Sequence, residues 1–586
     1  MSAYPVLLTR PLLAGFAAGV LISLGACSAA NPEAPATEAG SPQLSDQPHD
    51  RERAELHEQL AAAPAELQRK SQVAGRAVMP GVAYAPMPMS VQADALPPAY
   101  LGKSRDENRE QYQKLADNPV HAVAETPVST FSIDVDPGSY ANVRRFLNGG
   151  QLPPQDAVRL EELVNYFPYA YPLPKGDVPF GVHTELAATP WNPESRLLRI
   201  AIKASDLRVD ELPPANLVFL VDVSGSMDRR DGLPMVQSTL KLLVEQLRAQ
   251  DKVSLVVYAG SSSVVLQPTS GSEKAKIRAA IDQLTAGGST AGESGIQLAY
   301  QQAQQGFIDG GINRILLATD GDFNVGISDF ETLKQLAADK RKTGVSLTTL
   351  GFGTDNYNEQ LMEQLADAGD GNYAYIDNLR EARKVLVDQL SSTLATVASD
   401  VKIQVEFNPA EVSEYRLLGY ENRALKREDF SNDKVDAGEI GAGHTVTALY
   451  EVVLVGGKGW LEPLRYQQAA KAGSPAGELA WLRIRYKAPG QNVSKLLEQP
   501  IQANDTPAIS QASEDLRFAA AVAAFAQQLK GDTYTGRFSL ADSAELARNA
   551  KGDDRFGLRG EFVQLVELAQ SLQTASNPST TARVLQ

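Results

Sequence analysis

Leu217-Val218-Phe219-Leu220-Val221-Asp222-Val223-Ser224-Gly225-Ser226-Met227 is the stretch that decides the architecture. Five consecutive apolar residues run straight into a turn of Asp, Ser and Gly. A strand without polar alternation is buried on both faces, as in a parallel sheet covered by helices. The same pattern repeats outward from this stretch. Residues 253–258, 314–318, 346–350 and 373–376 read as further strands. Residues 233–248, 272–284, 292–307, 329–343, 358–368 and 380–398 read as helices, with Val236, Leu240, Leu243 and Leu247 at helical spacing in the first. The expected fold is α/β, a doubly wound and mostly parallel sheet over residues 214–398.

In such a sheet, ligands bind beyond the carboxyl ends of the strands. Asp222-x-Ser224-x-Ser226 follows the first strand, and Thr319-Asp320-Gly321-Asp322 follows the strand at 314–318. Gly287-Gly288-Ser289-Thr290-Ala291-Gly292 precedes another helix. Two carboxylates and three hydroxyls on short loops are hard oxygen donors, suited to Mg²⁺, Mn²⁺ or Ca²⁺. Gly225 permits close backbone approach.

Asp222, Ser224, Ser226, Thr290 and Asp320 together resemble the metal-ion-dependent adhesion site of von Willebrand factor A (VWA) domains. The resemblance implies that Ser224 and Ser226 bind a cation directly and that Thr290 binds directly or through water. Asp222 and Asp320 would act directly or through water. It also implies one open coordination position, filled by an acidic side chain from a protein partner. Beyond this domain, Phe131-Ser132-Ile133-Asp134-Val135-Asp136-Pro137-Gly138-Ser139-Tyr140, Leu152-Pro153-Pro154, Val405-Glu406-Phe407-Asn408-Pro409, Tyr420-Glu421-Asn422-Arg423 and residues 436–444 are similar to bacterial VWA lipoproteins of the YfbK-like type. Together these matches cover roughly residues 128–586.

Other chemistries find less support. The run from Asp320 to Glu331 has oxygen donors at EF-hand spacing, but Val325 stands where that loop needs glycine, and a strand precedes it. Gly351-Phe352-Gly353 lacks the third glycine of a dinucleotide fingerprint. Neither a phosphate loop nor a Gly-x-Ser-x-Gly elbow surrounds the serines. A metal-dependent hydrolase of envelope polymers is the enzymatic rival, with Asp228 or Asp322 as its base. A cation-independent assembly scaffold is the structural one. The Asp134/Asp136 pair reads as polar residues at a strand–turn junction, and His444 as structural.

At 586 residues the chain exceeds the roughly 250–300 that one core supports. A formal charge of −16 argues against nucleic acid, whose binding requires neutralised phosphates. One cysteine excludes a disulfide framework, and five scattered histidines show no ligand spacing. No small-molecule substrate is expected. Residues 1–26 carry one charge, Arg10, then a short apolar run, and read as a secretory signal. Leu24-Gly25-Ala26-Cys27 resembles a bacterial lipobox, which implies acylation of Cys27 and a membrane anchor. Ser28 resembles an outer-membrane sorting signal. Residues 27–98, rich in Ala, Pro, Glu and Gln, read as a disordered tether. The remaining divisions expected are 99–213 as a VWA-associated region, 214–398 as the VWA domain and 399–586 as a C-terminal region. In the last, a β-sandwich-like module spans about 399–500, with the first region's strands available to extend it, and helices follow at 514–529 and 559–572.

Overall fold

The computed structural model describes residues 110–576, apart from 134–135, 177, 290–291, 322–329, 355–356, 436, 463, 465–476, 492, 504–505 and 532. The signal, the lipobox cysteine Cys27 and the tether lie outside the described residues, as do Asp134, Thr290 and Asp322.

The first region contains β1 (His121–Ala122), β2 (Val128–Ser132), α1 (Gly138–Asn148), α2 (Leu160–Asn165), β3 (Phe180–Ala188) and β4 (Arg196–Ala204). The central region follows with β5 (Ala215–Asp222), α3 (Leu233–Gln246), β6 (Lys252–Tyr258), β7 (Ser262–Ser270), α4 (Lys274–Asp282), α5 (Gly292–Gln305), β8 (Ile312–Thr319), α6 (Phe330–Arg341), β9 (Ser346–Gly351), α7 (Glu359–Ala368), β10 (Tyr373–Tyr375), α8 (Leu379–Arg383) and α9 (Leu390–Leu394). Its six strands lie in the order β10-β9-β8-β5-β6-β7. All pairs are parallel except β6 with β7.

Alternate residues of β5 explain why its apolar run is continuous. Leu217, Phe219 and Val221 pack with Val236 and Leu240 of α3 and Ile277 of α4. Val218 and Leu220 pack on the other side with Ile296 of α5, Leu333 of α6 and Met362 of α7. Both faces of the strand are dry, as a helix-covered parallel sheet requires.

The last region holds β11 (Thr396–Phe407), β12 (Val412–Leu418), β13 (Ile440–Gly441), β14 (Thr445–Leu454), β15 (Glu478–Lys487), β16 (Ser494–Gln502), α10 (Glu514–Lys530), α11 (Leu540–Arg548) and α12 (Leu558–Ser576). Its strands do not make a sandwich alone. β14 pairs antiparallel with β4, and β11 pairs antiparallel with β2. One sheet runs β1-β12-β14-β4-β3, and the other is β13-β11-β15-β16 with β2 alongside β11. Phe131, Ile200, Ile403, Tyr450 and Leu482 share the core between them. A second core joins α1 and α2 to the C-terminal helices through Tyr140, Leu163, Phe167, Phe518, Phe525 and Phe562.

One further expectation changes in detail. The helix expected over 380–398 is broken. α8 passes into a π turn at Lys384–Asp388, then α9, and β11 already begins at Thr396. The β-branched pair Thr396-Val397 gives up helix for a ladder with β13. Strands β7, β12 and β16 and helix α11 carry no strong periodicity in sequence, and the structure adds them.

Helix α10 starts on a capped serine. Ser513 Oγ accepts the Leu516 N–H at 3.1 Å and donates to Glu185 Oε2 at 2.6 Å. Ser513→Ala is expected to lower stability by about 1 kcal/mol in urea unfolding, the usual cost of a lost cap.

Candidate metal centre

The strand β5 ends at Asp222, which is fully buried, and the chain turns sharply there. Asp222 Oδ1 accepts the Ser224 N–H at 2.9 Å, closing the turn. Its Oδ2 accepts the Thr319 hydroxyl at 2.8 Å, across from the end of β8. Both carboxylate oxygens therefore have protein donors, and Asp222 organises the two loops. The Ser224 and Ser226 hydroxyls lie 3.0 Å apart, with Ser224 buried and Ser226 partly open. Asp320 follows Thr319 directly and is 1% exposed.

The glycine loop is stitched to the same turn. Gly225 N–H donates to the Gly288 carbonyl at 3.0 Å, and Gly287 N–H donates to the Val223 carbonyl at 2.8 Å. Gly287 and Gly288 have φ of 159° and 92°, values that side chains disfavour. Thr290, two residues on, lies outside the described residues. Asp222, Ser224, Ser226 and Asp320 thus meet at the carboxyl edge of β5 and β8. Asp228 is exposed on the loop beyond.

Burial pushes the Asp222 carboxyl up to about 6; the Ser224 N–H opposes the rise and the nearby Asp320 charge adds to it. Two buried carboxyls that repel one another, beside two adjacent hydroxyls, are a donor set that fits a small hard divalent cation. Among the described residues no group of three His, Cys, Asp or Glu is placed to hold a metal.

The sequence reading missed several contributors. Thr319 bridges Asp222 and the Gly321 N–H, which it accepts at 3.1 Å. The buried Tyr258 phenol faces Asp222 and Thr319 from the end of β6, and burial together with the Asp222 charge holds it far above the usual phenol range. Arg229 straps the serine loop to the loop after β9. Its guanidinium grips Asp231 at 3.2 and 2.9 Å and the Thr354 carbonyl and hydroxyl at 2.5 and 2.7 Å. A Cβ added at Gly353 would lie 3.0 Å from Arg229 Nη2 and 3.5 Å from Asp320 Cβ, so the strap runs against the site. The only sequence signal for it was the proximity of Arg229 to the motif. Asp136 is buried and accepts the Tyr373 N–H at 2.9 Å, a structural contact.

A von Willebrand factor type A domain model matches residues 216–389, and a second von Willebrand factor model matches residues 106–199. A model of the C-terminal part of the uncharacterized protein YfbK matches residues 392–572. The chain is 52% identical over 475 residues to uncharacterized protein YfbK of Escherichia coli (strain K12), covering 80% of this chain and 82% of that protein. The chain belongs to the YfbK family of VWA-domain proteins. It is also 35% identical over 188 residues to uncharacterized protein sll0103 of Synechocystis sp., covering 32% of this chain and 43% of that protein. Among solved structures, von Willebrand factor type A from Catenulispora acidiphila aligns with a TM-score of 0.38 at 15% identity, over 65% of this chain and 88% of that one. The VWA domain supports a protein-interaction role for this YfbK-family chain, and the relatives named here carry no enzyme name. No described helix is long and apolar enough to cross a membrane.

Proposed function

We propose that this protein captures a protein partner through a divalent cation held at the carboxyl edge of the VWA sheet. The observation that carries the reading is the pair of hydroxyls on Ser224 and Ser226, 3.0 Å apart, organised by a buried Asp222 and flanked by a buried Asp320. Ser224 and Ser226 would bind Mg²⁺, Mn²⁺ or Ca²⁺ directly. Thr290 and Asp320 would complete the set directly or through water. With both oxygens already hydrogen-bonded, Asp222 would act through water and by fixing the serine turn. The bound cation would supply an electrophile for a carboxylate on the partner. A site with so little direct negative charge leaves the cation attractive to an incoming acid.

Cys27 would carry acyl chains that hold the protein in the cell envelope, with the outer membrane as its proposed location and residues 27–98 as the spacer. Labelling with a palmitate analogue is expected to mark the wild type and to be lost in Cys27→Ser. Equal labelling of both would remove the anchor.

Titration calorimetry with Mn²⁺ tests the centre. Wild type is expected to bind one ion, and Asp222→Ala and Ser226→Ala to lose at least about tenfold in affinity, the scale on which the shell supporting a metal acts. Equal affinity in all three proteins would refute the assignment. Partner capture from envelope extract should then disappear in EDTA and return with Mg²⁺.

A further inference from the structure

Six carboxyls that converge around α7 have no part in the metal centre. Glu359, Glu363 and Asp367 come from α7 itself, Asp136 from the turn after β2, and Glu161 and Glu162 from α2. Asp136, Glu161 and Glu359 are each 2% exposed, Glu162 is 4% and Glu363 is 5%. Glu162 and Glu359 face one another, with Glu363 and Glu161 beside them. Asp136 faces Asp367 and Glu363. Five of these acids, from segments far apart in sequence, therefore share one dry space, and Asp367, 32% exposed, stands at its edge.

Two guanidiniums face this group from within. Arg423, on the loop after β12, donates to Glu363 at 2.6 Å and to Asp367 at 2.8 Å, and Asn422 donates to Glu363 at 2.7 Å. Arg159 faces Glu359, Glu161, Glu162 and Glu363. Neutral donors reach the rest. Ser139 N–H donates to Glu162 at 2.7 Å, and Asn142 donates to Glu359 at 3.3 Å. The second oxygen of Glu359 is buried without a hydrogen bond. The surrounding groups are already engaged: Glu110 pairs with Arg145 at 2.8 Å and Glu421 with Lys530 at 3.1 Å. The phenols of Tyr112 and Tyr373 close the space, held far above their usual range by burial.

Two cations cannot balance five buried ionised carboxyls, and uncompensated charge in a dry interior is costly. Some of these acids must therefore keep protons when the chain is folded. Burial pushes Glu359 up to about 8, against the pull of Arg159. Burial and the neighbouring acids raise Glu162 and Asp136 well above the usual carboxyl range.

The group also has a route to solvent. Asp367, Asn422 and Arg423 line a cleft of about 390 Å³ between α6, α7 and the last region. At its other end, α7 touches the metal loops. The backbone nitrogen of Asn358, which caps α7, lies 3.0 Å from a Cβ placed on Gly321, the residue after Asp320.

We propose that this carboxyl group is a proton-loaded latch, holding α7 against α2 and the Asn422–Arg423 loop while its shared protons remain and releasing it as they are lost. The inference goes beyond the cation reading and does not need it. The sign follows from linkage. An acid whose folded pKa lies above its unfolded value holds a proton that the unfolded chain has released, so its contribution falls as pH rises. For Glu359 the fall spans from the ordinary 4.5 to about 8. Raising the pH should therefore loosen α7 and widen the cleft.

Hydrogen exchange of the full chain in EDTA, corrected for the intrinsic effect of pH, tests the latch without involving a cation. In wild type, protection of α7 is expected to fall by up to about tenfold per pH unit for each proton released, between about pH 5 and about pH 8, and to level off above that. Strand β8 should hold its protection. Glu359→Gln, whose amide stands in for the protonated acid, should flatten the α7 profile. Should that variant fail to fold, Glu162→Gln on the facing helix gives the same test. A flat wild-type profile, parallel loss in α7 and β8, or a folded glutamine variant with the full wild-type slope would each overturn the latch.

Discussion

Arg144→Ala is expected to destabilise the protein by about 3–5 kcal/mol, the range for removing one partner from a buried ion pair. Arg144 leaves α1 and is fully buried. Its Nε and Nη2 fork onto Asp377 at 2.8 and 2.5 Å. Nη2 also reaches Glu381 at 2.8 Å. Nη1 donates to the Tyr166 hydroxyl at 2.8 Å and to Glu561 at 3.2 Å. One side chain thus joins α1, the end of the VWA sheet, α8 and α12. Truncation leaves Asp377 as a buried anion without its counter-ion. Glu381 keeps Lys384 at 3.4 Å, so it suffers less. Arg144→Lys should recover only part of the loss, because an ammonium cannot make the two-pronged contact. The urea midpoint at pH 7 measures both variants. A drop below about 1 kcal/mol for the alanine would show that the four regions are not held through this residue.

The second large effect is expected from Phe562→Ala, at about 3–5 kcal/mol, the usual cost of emptying a buried aromatic site. Phe562 in α12 is fully buried. Its ring meets Phe167, Phe518 and Phe525 in edge-on contacts, at centroid distances of 5.6, 5.5 and 5.3 Å. The hole would open between the segment after α2 and α10, which cannot collapse without moving two helices. Phe562→Leu, which keeps most of the volume, should cost clearly less. Thermal unfolding of the three proteins ranks them. Equal midpoints for alanine and leucine would mean that the site relaxes and that the aromatic contacts carry little.

Both residues show where sequence reading stops. The apolar run at 217–221 announces its own double burial, and the turn Asp222-x-Ser224-x-Ser226 announces polar oxygen donors at its end. Those signals are local, so a strand and its following loop could be placed without the rest of the chain. Phe562 reads only as the apolar face of a helix, and nothing in its spacing points to Phe167, almost four hundred residues earlier. Nothing in the residues next to Arg144 points to Asp377 or Glu381, more than two hundred residues later. Thr319 and Arg229 sit close in sequence to the motif residues, yet their roles depend on which neighbouring loop each one meets. The break in the helix expected over 380–398 has the same cause. Periodicity continues through it, but pairing of Thr396 with Gly441 ends it.

The sequence alone determined the alternation of parallel strands and helices in the central sheet, its edge strand β7 apart, and that Asp222, Ser224 and Ser226 directly follow the strand at 217–221. Both follow from the side-chain pattern within one strand and its next turn, where the interacting groups are only a few bonds apart. Tertiary structure decided that β2 and β4 complete the sheets of the last region, and that five acids from separate segments share one dry space around α7. Antiparallel pairing and charge burial depend on which distant surfaces meet. That choice is made by the combined burial of the whole chain, which no short window of residues contains.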